Sequence, residues 1–236
     1  MLLRLPALFT AALLLSPAAW AADEVTDAMQ AAYAPYRAAL FRTNSKAQAE
    51  SEQAIAAARR SWQALTDRYA AKPPPPYDRD TEFAATIGKV SAVYEQAERE
   101  IRQQQLPLAH ETLEAARDLQ AALRQRNGVV VYSDHMNAYH AEMEHVLTEG
   151  PKLLAGPQGS MQLMASAGVL DFLARRLRSE ASPELLRDPE FVPALQAVEA
   201  SSTALRNALL AQDMAAVRQA IAGLKGPYSR MFIRFG

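Results

Sequence analysis

The sequence predicts an all-α protein, an up-and-down antiparallel bundle of about seven to eight helices. Three observations carry this expectation. Only nine glycines occur in 236 residues, while Ala, Leu, Gln, Glu and Arg, the strong helix formers, dominate. Apolar residues recur at steps of three and four along most of the chain. No alternating apolar–polar run is long enough for a strand, and Val129-Val130-Val131 is too short a β-branched run to build a sheet.

The elements follow in order. Thr43-Asn44-Ser45 separates the first two helices and offers a cap to the second. Ile55, Ala58, Trp62, Leu65 and Tyr69 form the stripe of the second helix. Pro73 to Pro76 cannot be helical and reads as a stiff connector. Phe83, Ile87, Val90, Tyr94, Ala97 and Ile101 mark the third helix. Leu113, Ala116, Gln120 and Leu123 mark the fourth, which Asn127-Gly128 ends with a left-handed stop. The next helix carries Met136, His140, Met143 and Leu147 on one seam, with His135, Tyr139, Glu142 and Val146 beside it. Gly150 to Gly159, rich in glycine and proline, reads as a long loop ending at Ser160 as an N-cap. Further stripes are Leu163, Ala167, Leu170, Ala174 and Leu177, then Leu195, Val198, Ser202, Leu205 and Leu209, then Val217, Ile221 and Leu224. Ser182-Pro183 and Asp188-Pro189 bound an irregular stretch, and Gly226-Pro227 starts the last segment. Residues 22–236 read as one bundle domain, with a possible sub-boundary in the 149–160 loop.

The first 21 residues read as an export signal. Arg4 supplies a positive start, Leu5 to Leu15 an apolar stretch, and Ala19-Trp20-Ala21 a small-x-small cleavage pattern, so cleavage is expected after Ala21. The apolar run is shorter than the roughly 20 residues of a spanning helix, and no second one follows, so membrane insertion is not expected. A bacterial periplasm is the expected location. Removing 21 of 236 residues leaves 215, enough for one sizeable core or two small ones.

Composition narrows the chemistry. Arg4 is the one charge of the signal, so 24 basic and 26 acidic side chains remain in the mature part. That balance gives no electrostatic footprint for nucleic acid. With no cysteine, disulfides, thiolate metal sites, iron–sulfur clusters and covalently attached c-type haem are excluded. There is no nucleophile elbow, Gly-rich phosphate loop or His-Glu-x-x-His, so a non-catalytic protein is expected.

One segment departs from this background. Tyr132 to His145 holds three of the four histidines and two methionines. Thioether plus imidazole, from Met136, His140 and Met143, suits copper(I). Carboxylate plus imidazole, from Glu142 and His145 with His135, suits iron, zinc or manganese. His110, at the start of the preceding helix, is the one remaining histidine and can supply a ligand across a hairpin. The expectation is a transition-metal protein, copper before iron, for storage, delivery or resistance. The competing expectation is an interaction or scaffold protein in which the segment is core.

In helix content, export and bundle length the chain loosely resembles the exported helical-bundle proteins of the cytochrome c′ and cytochrome b562 class. That resemblance implies haem, but the Cys-x-x-Cys-His attachment motif is absent. A non-covalent haem would need His140 and a methionine such as Met29, Met161 or Met164. Haem b is therefore not the expected cofactor. Imelysin-like iron-uptake proteins form another such class, but their His-x-x-Glu is not reproduced at His140, where position 143 is Met.

The C-terminal segment concentrates aromatic mass in a chain that is only 7% aromatic. Tyr228, Met231, Phe232 and Phe235 are expected to dock and close the bundle, or to offer Tyr228, Phe232 and Phe235 to a protein partner.

Overall fold

The structure is a computed structural model that describes residues 23–236. The expected export signal and its cleavage point lie outside the described residues. The protein is an all-α helical bundle, with no strand among the described residues.

The chain forms α1 (Glu24–Asn44), α2 (Gln48–Tyr69), α3 (Phe83–Arg102), α4 (Leu106–Arg126) and α5 (Tyr132–Leu153). It continues as α6 (Gly159–Ser179), the short α7 (Pro183–Arg187), α8 (Phe191–Leu210), α9 (Met214–Gly223) and α10 (Lys225–Phe235). Local chemistry sets several ends. Asp23 caps α1 by accepting from the Thr26 N–H at 3.0 Å, because a carboxylate there satisfies an orphan donor and suits the helix dipole. Asp213 does the same for α9, accepting from the Ala215 and Ala216 N–H groups at 3.0 Å. Gly128, at φ +68°, supplies the left-handed residue after α4.

Every residue of the stripes on α2, α3, α4, α6 and α8 is buried, as are Val217, Ile221 and Leu224. The helical period thus chose the core-facing side correctly. The proline run lies outside any helix and leads into a single 3₁₀ turn at Tyr77–Arg79.

Packing divides the bundle into two rings. α1 packs on α2, α2 on α3, α3 on α4, and α4 returns to α1. In the second ring α5 packs on α6, α6 on α8, α8 on α10, and α10 returns to α5, with α9 against α5 and α8. The rings meet where α1 and α4 face α5 and α10. Asn137 Nδ2 donates to Tyr33 Oη at 3.4 Å, and Arg37 Nη1 donates to the Phe232 carbonyl at 3.0 Å. Arg124 on α4, with its side chain 1% exposed, is paired with Asp134 on α5.

Three local expectations change. The 150–159 segment is not one long loop, since α5 runs through Gly150 and Pro151 to Leu153 and α6 starts at Gly159, after Gln158. A Cβ at Gly150 would lie 3.1 Å from Ile221 Cδ1 and 3.3 Å from Leu163 Cδ2. The glycine that suggests a break instead lets α5 pack closely on α6 and α9. Thr43 and Asn44 belong to α1, and α2 begins after Ala47 with no side-chain cap; Lys46, at φ 56°, makes the turn. The 182–189 stretch contains α7, which Ser182 caps through the Leu185 N–H.

Candidate functional site

Helix α5 presents a buried seam of Met136, Tyr139, Met143 and Val146, spaced three, four and three residues apart. This seam runs between the two stripes expected from the sequence. His140 therefore lies at its edge, with its side chain 16% exposed and turned toward α4 and α10.

The six sequence-predicted residues disperse from there. Met136 and Met143 are fully buried in the hydrophobic core. His135 is buried near Glu180, at 3.9 Å; burial, with Arg176 nearby, lowers its pKa below the usual 6.5. Glu142 is half-buried and His145 exposed. Among the described residues, no group of three or more His, Asp and Glu side chains is placed to hold a metal ion. Of the haem-type methionines, Met29 is fully buried and Met161 is 76% exposed.

His140 instead belongs to a cleft at the junction of the two rings. Leu40 and Phe41 of α1, His110, Glu114 and Arg117 of α4, and Glu144 of α5 line it. Lys225, Tyr228, Phe232 and Ile233 of α10 line its other side, and Asn44 and Ser229 add two uncharged polar side chains. The cavity within it measures about 60 Å³. The narrow part thus has room for only a few waters.

A chain of polar contacts runs along its floor. His110 Nδ1 lies 3.0 Å from the Leu40 carbonyl, so Nδ1 carries the hydrogen and Nε2 faces Glu114, at 3.8 Å. Arg117 Nη2 is 3.6 Å from the other Glu114 oxygen. Arg117 Nη1 donates to His140 Nδ1 at 3.0 Å. An arginine can only donate, so His140 Nδ1 accepts and the ring's hydrogen sits on Nε2, which points at Glu144 Oε1, 3.5 Å away. Lys225 Nζ reaches the same oxygen at 3.2 Å. The contact with His140, helped by Lys225, holds the Glu144 carboxyl down at about 2 against burial, which pushes it up.

Tyr228 backs the floor. Its ring stacks on His140 with centroids 5.3 Å apart and planes at 19°. Its hydroxyl donates to the Met136 carbonyl at 3.2 Å, and burial raises its pKa well above 10, so it stays a neutral donor. Phe232 stacks on Tyr228 at 5.7 Å and meets Tyr33 edge-on at 6.4 Å. Phe235 packs edge-on against Phe191 at 5.2 Å. The aromatic C-terminal segment therefore closes the bundle, with Tyr228 and Phe232 buried.

Two sequence signals relate to this cleft. His110 is the histidine expected to reach across a hairpin, and it does reach the cleft that holds His140. The second signal is a repeat: His110-x-x-x-Glu114 and His140-x-x-x-Glu144 share one spacing on consecutive helices, which puts each pair on one helix face. Lys225, a basic residue of the C-terminal segment expected to pair with an acidic helix or a partner, pairs with Glu144 of α5, whereas Arg117 belongs to no pattern and only the packing of α4 on α5 reveals it.

Comparison of the chain with protein-family models, curated proteins and solved structures gives no match.

Proposed function

We propose that the chain is a non-catalytic binding protein, exported to a bacterial periplasm, and that the cleft between α1, α4, α5 and α10 is where it binds. One observation carries this reading. Six ionisable side chains, His110, Glu114, Arg117, His140, Glu144 and Lys225, converge from three helices beneath an aromatic wall, at the meeting of two helix rings. Ligand sites favour such places, where mostly apolar walls surround a few polar groups. No helix among the described residues is long and apolar enough to cross a membrane, which accords with an exported protein that is not inserted.

A metal is the second reading, prompted by the two imidazole–carboxylate pairs that line the cleft, although among the described residues no three His, Asp or Glu side chains are placed together to hold an ion. The thioether set Met136, His140 and Met143 suits it less. Both methionines are sealed in the core, Arg117 occupies His140 Nδ1, and His140 Nε2 points at Glu144. A copper or iron ion at His140 and Glu144, with His110 and Glu114 opposite, would still face the charges of Arg117 and Lys225.

The test is proton NMR of the His110 and His140 rings in the purified chain. Copper, zinc and iron salts and a panel of short organic acids, amines and alcohols are titrated in turn. A saturable shift of both rings with one class supports binding in the cleft and tells metal from organic ligand. Unmoved rings across the whole panel would sink the reading. Amino-terminal sequencing of the protein recovered from cells tests the export step, with Ala22 as the expected first residue.

A further inference from the structure

We propose that the ligand of this cleft is a small monoanionic amphiphile, a single carboxylate on a short apolar body, whose head takes the place of the Glu114 carboxylate beside Arg117. This rests on the cleft being the binding site and names what it binds.

Charge decides the head group. Among the ionisable side chains that line the cleft, Arg117 and Lys225 carry two positive charges against the two negative charges of Glu114 and Glu144, and Asp118, outside the cleft, pairs with Arg117 from behind. A ligand cation would approach both Arg117 and Lys225 while their carboxylates are already engaged. A dianion would put a third and a fourth negative charge beside Glu114 and Glu144. A monoanion that displaces one carboxylate leaves the count unchanged.

Geometry decides which carboxylate moves. Glu144 is held from two sides, by Lys225 Nζ at 3.2 Å and by His140. Glu114 is held loosely, 3.6 Å from Arg117 and 3.8 Å from His110, both beyond hydrogen-bond length, and its side chain is 36% exposed. It can swing outward to solvent at little cost. Arg117 is only 14% exposed and fixed through Nη1 to His140 and through Nε to Asp118 at 3.1 Å, so its Nη2 is a preset donor for whatever replaces Glu114. A guanidinium with its geometry already fixed recognises a planar carboxylate well.

The walls decide the body. Leu40, Phe41, Phe232 and Ile233 give the cleft an apolar side, and Ile233 is 36% exposed at the rim. The narrow interior admits a carboxylate with a few carbons rather than a bulky group, while the open mouth accommodates the rest of a short chain or a ring.

The experiment compares hexanoate, hexylamine, hexanol and hexyl phosphate in titrations of the chain that begins at Ala22, whose one tryptophan is Trp62, read on the His110 and His140 ring protons. Hexanoate should bind, with the amine and the alcohol at least about tenfold weaker. Arg117→Gln should abolish hexanoate binding. Glu114→Gln should tighten it about fivefold, because the competing carboxylate is gone. Retained helicity and an unchanged emission from buried Trp62 show that each variant is folded. Lys225→Gln, on a 45% exposed side chain, is a second variant that spares the core and should weaken binding. Preference for the amine or the phosphate, or weaker hexanoate binding by Glu114→Gln, overturns the monoanion while leaving the cleft as a site. No response to any of the four, nor to metal salts, overturns the site itself.

Discussion

Replacing Asp134 by alanine should remove a large part of the stability of this protein, because it strands a buried cation between the two helix rings. Arg124 projects from α4 with its side chain 1% exposed. Its Nε donates to Asp134 Oδ2 at 3.0 Å and its Nη2 to Oδ1, while Nη1 has no hydrogen-bond partner among the described residues. The same carboxylate accepts from the Val131 N–H at 3.1 Å and so anchors the start of α5. Two hydrogen bonds to a charged group contribute about 1.5–3 kcal/mol each, and breaking a buried pair from one side costs about 3–5 kcal/mol. The two figures describe one effect, so a loss of about 4 kcal/mol is expected, against a total of about 5–15 for a typical domain. Urea melts followed by Trp62 emission and by far-ultraviolet circular dichroism measure it. A slope of about 2 kcal/mol per molar urea puts the midpoint about 2 M lower. Adding Arg124→Met to Asp134→Ala removes the stranded charge and should recover a good part of the loss. A single variant that loses under about 1 kcal/mol, or a double variant no more stable than the single, would refute the reasoning.

Glu144 and His135 give pH signatures of different range. The Glu144 carboxyl is held at about 2 instead of 4.5, so its stabilisation is complete above pH 4.5 and drains away as pH falls toward 2. The side chain is 37% exposed, and after screening the effect is on the order of 1 kcal/mol; Glu144→Gln should flatten the acid limb of a stability–pH profile by that amount. Burial lowers the pKa of His135 below 6.5, so the unfolded chain binds the proton more readily and stability declines as pH drops below 6.5. His135→Gln should blunt that decline, and an unchanged profile would remove His135 as its cause. Gly150→Val should destabilise by about 1–3 kcal/mol in thermal melts, since its branches enter space held by Ile221 and Leu163; Gly150→Ala should cost less, because both neighbours are flexible side-chain ends.

The helices were legible because burial along a helix repeats with its period, and a stripe such as Phe83 to Ile101 states that period without reference to any other helix. The cleft was legible only in part, for a reason that α5 makes plain. Met136, His140, Met143 and Leu147 share one spacing, yet the buried line is Met136, Tyr139, Met143 and Val146. A shift of one position around the helix separates a core residue from one at a rim, and the apolar pattern of α5 does not resolve it, because Tyr, His and Met are tolerated on either side. Once α10 docks, that shift acquires chemical meaning: Tyr228 covers the His140 ring and Lys225 reaches Glu144. Those contacts join residues more than eighty positions apart, and Arg117 meets His140 across a helix–helix junction. Local spacing records none of this. What the sequence does carry is the repeated His-x-x-x-Glu pair on two consecutive helices, a signal readable before any packing is known. It marks which faces of α4 and α5 are polar, and the ring of helices to which each belongs then decides that those faces meet.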